Sequence, residues 1–163
     1  MLPFYKKILV TSDLTPNSEF AFKHAVMLGR RNDAKIYLLH VLPQVDSSMR
    51  GYISSILGEN NLEELEKNNM QKAKDDLKQE LDAFAKRELA NFPEDLARFA
   101  GTEVEIGHPV IKILETAARL DVDLIVMGTH GKGMIEQAFL GSVAEKVLKK
   151  STRPVFVIPL PKK

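Results

Sequence analysis

The residues whose types and spacing most suggest chemistry lie in one stretch, residues 123–150 of a 163-residue chain. A short apolar run at 124–127 stops at Gly128, and Gly131 and Gly133 follow within five residues. Gly141 and Ser142 then precede a helical pattern in which Val143 and Val147, and Ala144 and Leu148, stand four apart. A continuous apolar run is how a buried parallel strand reads. Glycines permit positive φ and close approach of a ligand to the backbone. The first turn of a helix offers unpaired N–H groups and a partial positive charge, which suit an anion such as phosphate. Ser142 adds a hydroxyl donor. Strand, glycine loop and helix start therefore predict a phosphate-binding loop. It is not of the commonest kinds, because neither G-x-x-x-x-G-K-[ST] nor a strand followed by G-x-G-x-x-G occurs in the chain.

A carboxylate accompanies the glycines. Asp13 ends an apolar run at 8–10 and reads as a ligand or Mg²⁺ contact, or else as an Asx-type cap of the following turn. Lys132, inside the glycine loop, offers a positive charge, and its ordinary reading is a solvated surface lysine. The four histidines, His24, His40, His108 and His130, show no metal-ligand spacing. His40 reads as a hydrogen-bonded core histidine. No base–nucleophile pair stands out, so the residues favour binding over catalysis.

Composition narrows the class. Hydrophobic residues make up 44% and charged residues 28%, as in an ordinary globular chain. A net charge of +1 gives no field directed at nucleic acid or a membrane surface. With no cysteine, disulfides, thiol catalysis and zinc–thiolate sites are excluded. No apolar run approaches the ~20 residues that cross a membrane, and no signal-peptide core opens the chain. A cytoplasmic protein with one domain over residues 1–163 is expected.

The positioning elements follow from periodicity. Strands are predicted at 8–10, 34–42, 102–106, 124–127 and 155–158. A helix starts at Thr15–Pro16, with Thr15 as N-cap, and ends near Arg31. Residues 43–61 read as a loop laid over the sheet, with Tyr52, Ile53, Ile56 and Leu57 able to form a helical turn. A long charged helix covers 62–92, and 96–100 add one more turn. A further helix covers 110–120, with Ile111, Leu114 and Ala118 on its apolar face. Alternating strands and helices give an α/β fold with an open five-stranded parallel sheet and helices on both faces. Val155, Phe156, Val157 and Ile158 form an apolar strand flanked by prolines, which suits a sheet edge. Pairing with a second copy would cover that edge, so a homodimer through this strand is expected.

The pattern G-x2-G-x9-G-[ST], as Gly128, Gly131, Gly141 and Ser142, resembles the signature of the universal stress protein family in its ATP-binding subgroup. Ile-Leu-Val-Thr-Ser-Asp at 8–13, Leu-Leu-His-Val at 38–41, Gly-Ser-Val-Ala-Glu-Lys-Val at 141–147 and Arg-Pro-Val-Phe-Val-Ile-Pro at 153–159 are similar too. The resemblance spans nearly the whole chain. It implies a Rossmann-like fold of the adenine nucleotide alpha hydrolase type, strand order 3-2-1-4-5, with the site at the switch between strands 1 and 4. It implies ATP, ADP or AMP as ligand, with Mg²⁺ or Mn²⁺ on the phosphates near Asp13. Val41 would meet adenine through its backbone, and Thr11, Ser12 and Asp13 would lie near the adenosine. Met127, Gly128 and Thr129 would line the ribose side. Gly131, Lys132, Gly133, Gly141, Ser142 and Val143 would hold the phosphates. The chain departs from many relatives at Met134 and Gln137, and Glu136 adds negative charge, but the backbone donors are untouched.

Three functions fit this reading. The first is a nucleotide-dependent regulatory or stress-response protein with an unidentified protein partner. The second is a slow ATP hydrolase or nucleotidyl-transfer enzyme. The third is a nucleotide-free dimeric scaffold, against which the intact glycines argue.

Overall fold

The computed structural model describes residues 1–44, 47–129 and 140–160. Among these, the strands are β1 (Lys7–Thr11), β2 (Lys35–Leu42), β3 (Phe99–Ile106), β4 (Leu124–Gly128) and β5 (Val155–Ile158). The helices are α1 (Pro16–Asn32), α2 (Ser47–Leu57), α3 (Glu59–Glu88), α4 (Pro93–Arg98), α5 (Pro109–Arg119) and α6 (Ser142–Lys150). The strands form one parallel sheet in the order β3-β2-β1-β4-β5, as expected. Chain direction across the sheet reverses between β1 and β4. The register there is Ile8↔Leu124, Leu9↔Ile125 and Val10↔Val126. Asp123 helps set it, since its Oδ2 accepts the N–H groups of Lys6 (2.7 Å) and Lys7 (2.9 Å) while its own N–H donates to the Lys7 carbonyl (2.8 Å).

The sheet is buried on both faces, which is why its central strands are continuously apolar. Ile8, Val10, Leu38, Leu124 and Val126 pack beneath Phe22, Ala25, Leu81 and Ala85 of α1 and α3. Leu9, Leu39, Ile125 and Met127 point the other way, onto Val110, Ile113 and Ala117 of α5 and Ala144 and Val147 of α6. The two clusters clamp β1 and β4 and so fix where their carboxyl ends lie.

Several boundaries differ from the sequence reading. Residues 47–57, read as loop, form α2, whose spacing of Met49, Tyr52 and Ile56 is helical although no residue of it is buried. The long helix runs over Glu59–Glu88 rather than 62–92. Pro93 interrupts the long helix as expected and starts α4, and β3 begins at Phe99, where the helical turn over 96–100 was expected to continue. The buried face of α5 is Val110, Ile113 and Ala117, while Ile111 is half exposed. Both stripes are apolar, so helical period alone could not choose between them. Thr15 holds the N-cap position of α1 but makes no side-chain cap bond.

Candidate functional site

A cleft of about 260 Å³ opens at the carboxyl ends of β1, β2 and β4. Thr11, Ser12 and Asp13 form one wall, and Leu39, His40 and Val41 the next. Met127, Gly128 and Thr129 come from β4 and the residue after it. Gly141, Ser142, Val143 and Ala144 open α6, and Ser18, Pro109 and Ile113 complete the lining. Ligand crevices in open α/β sheets lie at such a reversal of strand order.

The wall after β1 is a hydrogen-bonded turn. Ser12 N–H donates to the Leu39 carbonyl (2.8 Å), extending the β1–β2 pairing by one residue. His40 Nδ1 lies 2.7 Å from the Ser12 carbonyl oxygen. A carbonyl can only accept, so Nδ1 carries the proton in this contact. Asp13 Oδ1 accepts both the N–H (3.0 Å) and the hydroxyl of Thr15. Ser12 Oγ accepts the Leu14 N–H at 3.2 Å. These short-range bonds hold Leu14 at φ 65°, a left-handed conformation that a leucine rarely takes. The turn expected of Asp13 is therefore present, and the Thr15 hydroxyl donates to Asp13 while its oxygen accepts no cap bond from α1. Oδ2 of Asp13 takes part in none of the described hydrogen bonds.

The opposite wall is a helix start. Gly141 is the extended N-cap of α6 (φ −67°, ψ 153°), and the Glu145 N–H donates to its carbonyl (2.9 Å) as the first bond of the helix. The N–H groups of Ser142, Val143 and Ala144 precede that bond, so no intrahelical partner exists for them. Gly141 N–H itself donates to the Thr129 carbonyl (2.6 Å), which pins the helix start to the end of β4. Glu145 lies in the first turn. Its carboxyl sits below the ordinary carboxylate value of 4.5 because Lys149 donates to it at 2.7 Å and adds a nearby positive charge.

Between the walls, Gly128 has a steric reason to be glycine. A Cβ there would fall 2.6 Å from Asn17 Oδ1 and 2.7 Å from Asn17 Cγ. Asn17 is 3% exposed, and its Nδ2 donates to the Ile158 carbonyl at 3.2 Å.

The structure thus brings Thr11, Ser12, Asp13, Val41, Met127, Gly128, Thr129, Gly141, Ser142 and Val143 around one cleft. Gly131, Lys132 and Gly133 lie outside the described residues, as does His130. His40 is hydrogen-bonded as expected, yet it is half-buried at the cleft wall rather than enclosed in the core. Sequence reasoning missed Asn17, Ser18, Pro109 and Ile113. The only available signal was position: polar residues in the first turn of α1 and an apolar residue one turn into α5 must face strand ends once the sheet forms.

Known proteins resemble the chain in sequence and in fold. The model of the universal stress protein family matches residues 4–159. Universal stress protein MJ0577 of Methanocaldococcus jannaschii is 33% identical over 162 residues, covering 97% of this chain and 97% of that protein. The solved structure of MJ0577 superposes with a TM-score of 0.65 at 29% identity, covering 99% of this chain and all of the other. Universal stress protein UspA from Lactobacillus plantarum gives a TM-score of 0.70 at 25% identity, over 96% of this chain and 99% of its own. A universal stress protein in complex with cAMP shares the fold, with a TM-score of 0.54 at 21% identity, over 96% of this chain and 98% of its own. On the family match, the MJ0577 identity and the sheet order together, the chain belongs to the universal stress protein family.

Proposed function

We propose that this chain binds an adenine nucleotide, ATP foremost, in the cleft between β1 and β4 and acts as a nucleotide-dependent regulatory protein of the stress response. The observation that carries the reading is one cleft shared by three groups: the N–H groups opening α6, the backbone at Gly128 and Thr129, and the Asp13 carboxylate. Oriented N–H donors at a helix start suit phosphate oxygens. Val41 and Leu39 supply strand backbone and apolar surface on the side where a base would lie. Gly131, Lys132 and Gly133, named by the family resemblance, extend the phosphate contacts. The proposal treats residues 1–163 as one such unit, working in the cytoplasm.

Among the described residues a divalent cation fits this site through Asp13. Among the described residues no group of three or more histidines and carboxylates could hold a metal ion. Asp13 commits Oδ1 to Thr15 and offers Oδ2. Mg²⁺ or Mn²⁺ would therefore rest mainly on phosphate oxygens and water, with Asp13 as its protein contact among the described residues. The ion would neutralise phosphate charge there.

The test has two arms. Freshly purified protein is denatured and the released small molecules are separated by chromatography. Stripped protein is then titrated calorimetrically with ATP, ADP, AMP and cAMP, with and without Mg²⁺. Saturable binding of an adenine nucleotide is expected, and failure of all four at millimolar concentration sinks the proposal. ADP accumulating from bound ATP would add hydrolysis to the binding function.

Self-association through β5 belongs to the same proposal. β5 stands at the sheet edge and pairs with β4, and all four of its residues are only half-buried. Phe156 rests edge-on against Tyr5, with ring centroids 5.9 Å apart. A second copy laid along this edge would satisfy its outer backbone groups. Sedimentation at micromolar concentration should show a dimer, and a monomer there refutes this part.

A further inference from the structure

We infer that Asn17 links occupancy of the cleft to self-association through β5, so that nucleotide and second copy bind cooperatively. The inference rests on both the nucleotide and the edge-strand readings above.

Asn17 is the second residue of α1, yet its side chain is buried beneath the sheet's carboxyl end. A buried amide must find partners. Nδ2 donates to the Ile158 carbonyl (3.2 Å), and Oδ1 lies 3.5 Å from the Thr129 hydroxyl. Thr129 N–H donates to the same Ile158 carbonyl at 3.1 Å, and the Thr129 carbonyl accepts Gly141 N–H at 2.6 Å. One connected set of bonds thus runs from Gly141 through Thr129 to Ile158, with Asn17 braced against it from below.

The two ends of that set face different partners. Gly141, Thr129 and Gly128 line the cleft. Ile158 is the last residue of a four-residue strand, paired with Gly128. Ile158 is only partly buried against the core, so these bonds add to packing in holding the carboxyl end of β5. A ligand that orders Thr129 and Gly141 holds the donors on the Ile158 carbonyl in place. β5 then keeps its full length and presents a complete edge to a second copy. By linkage, a second copy that orders Ile158 favours the ligand by the same factor. Asn17 is a positioning residue in this scheme and touches neither ligand nor partner.

The test measures the dimer dissociation constant of the full chain by sedimentation equilibrium, with and without saturating ATP and Mg²⁺. In the wild type, ATP should tighten the dimer by about tenfold, inside the ~5–150-fold range of known couplings. In Asn17→Ala that ratio should fall to within about twofold of unity. Asn17→Ser, small and still polar, replaces it if the alanine variant does not fold. ATP titrations at protein concentrations below and above the dimer constant should show the reciprocal shift in nucleotide affinity. Nucleotide that binds a wild-type dimer without changing its dissociation constant overturns this inference and leaves the nucleotide function standing. A coupling that persists undiminished in the Asn17 variants also overturns it. No nucleotide binding in the wild-type titration overturns the nucleotide function, and this inference with it.

Discussion

The contact between Gly128 and Asn17 can be perturbed from both sides, and the two perturbations should cancel in part. Alanine at 128 places a Cβ 2.6 Å from Oδ1, 2.7 Å from Cγ and 3.0 Å from Nδ2 of Asn17. All three contacts lie below ordinary van der Waals separation, and the obstacle is a short buried side chain held by hydrogen bonds. No positive φ is recorded at Gly128, so the cost of Gly128→Ala is steric rather than conformational. Overpacking of this kind costs ~1–3 kcal/mol. Asn17→Ala removes one of two donors to the Ile158 carbonyl, which keeps the Thr129 N–H, and costs ~0.5–1.5 kcal/mol, the net value of one hydrogen bond. In the double variant residue 17 has no Cγ, Oδ1 or Nδ2, so the three atoms nearest the new Cβ are gone. The double variant should be more stable than the sum of the single changes by ~1–2 kcal/mol, within the range found for residues in contact. Urea denaturation followed by circular dichroism measures all four proteins. For a chain of this size each kcal/mol moves Tm by ~2–4 °C, so thermal melts give a second reading. Additivity within ~0.5 kcal/mol would refute the claim that Asn17 is what makes 128 a glycine position.

Other predictions follow from the same geometry. Ser142→Pro should leave the fold intact, because proline is favoured at the first helical position and Gly141 before it is already extended (φ −67°, ψ 153°). It removes one N–H and one hydroxyl from the cleft, so ATP affinity measured by calorimetry should drop ~10-fold or more, the value of one hydrogen bond to a charged group. Leu14→Gly should be neutral or stabilising by up to ~1 kcal/mol, since relief of the left-handed strain is offset by greater freedom of the unfolded chain. Clear destabilisation in urea melts would show that the Leu14 side chain matters more than its backbone. The α2–α3 junction should weaken in acid. The Glu59 carboxyl is held below its ordinary 4.5 first by the Ser54 hydroxyl and then by Arg50. Its contribution is therefore present above 4.5 and is lost as pH falls through the lower folded value. Amide protection factors in α2, which correct for the intrinsic slowing of exchange in acid, should fall over that interval, and less so in Ser54→Ala.

Much was legible without coordinates. The apolar runs at 8–10 and 124–127 fall on β1 and β4 because strands buried on both faces need no polar alternation, and the run at 155–158 falls on the half-buried edge strand β5. The spacing from Gly128 to Gly141 and Ser142 identified a strand end and a helix start, and the structure places both on one cleft. Asp13 was legible in two ways, as a turn-former and as a cleft carboxylate. The structure shows the turn, since Oδ1 takes Thr15, and lines the cleft with Asp13, while a ligand or Mg²⁺ contact belongs to the proposal. Composition and local pattern carry such features because each depends on a few adjacent residues.

What only the tertiary structure decided depends on residues far apart in the chain. Period alone could not choose between the two apolar stripes of α5, because the choice is made by Leu9, Ile125 and Met127 on the sheet beneath it. Nor did the chain around Asn17 reveal that its amide would brace a glycine 111 positions later and a strand end 141 positions later. That contact exists because β1 and β4 are neighbours in register, and long-range register is set by packing rather than by any local signal. The sequence by itself determined the strands and the family. The assembled sheet decided which groups share the cleft and which buried amide connects it to the edge.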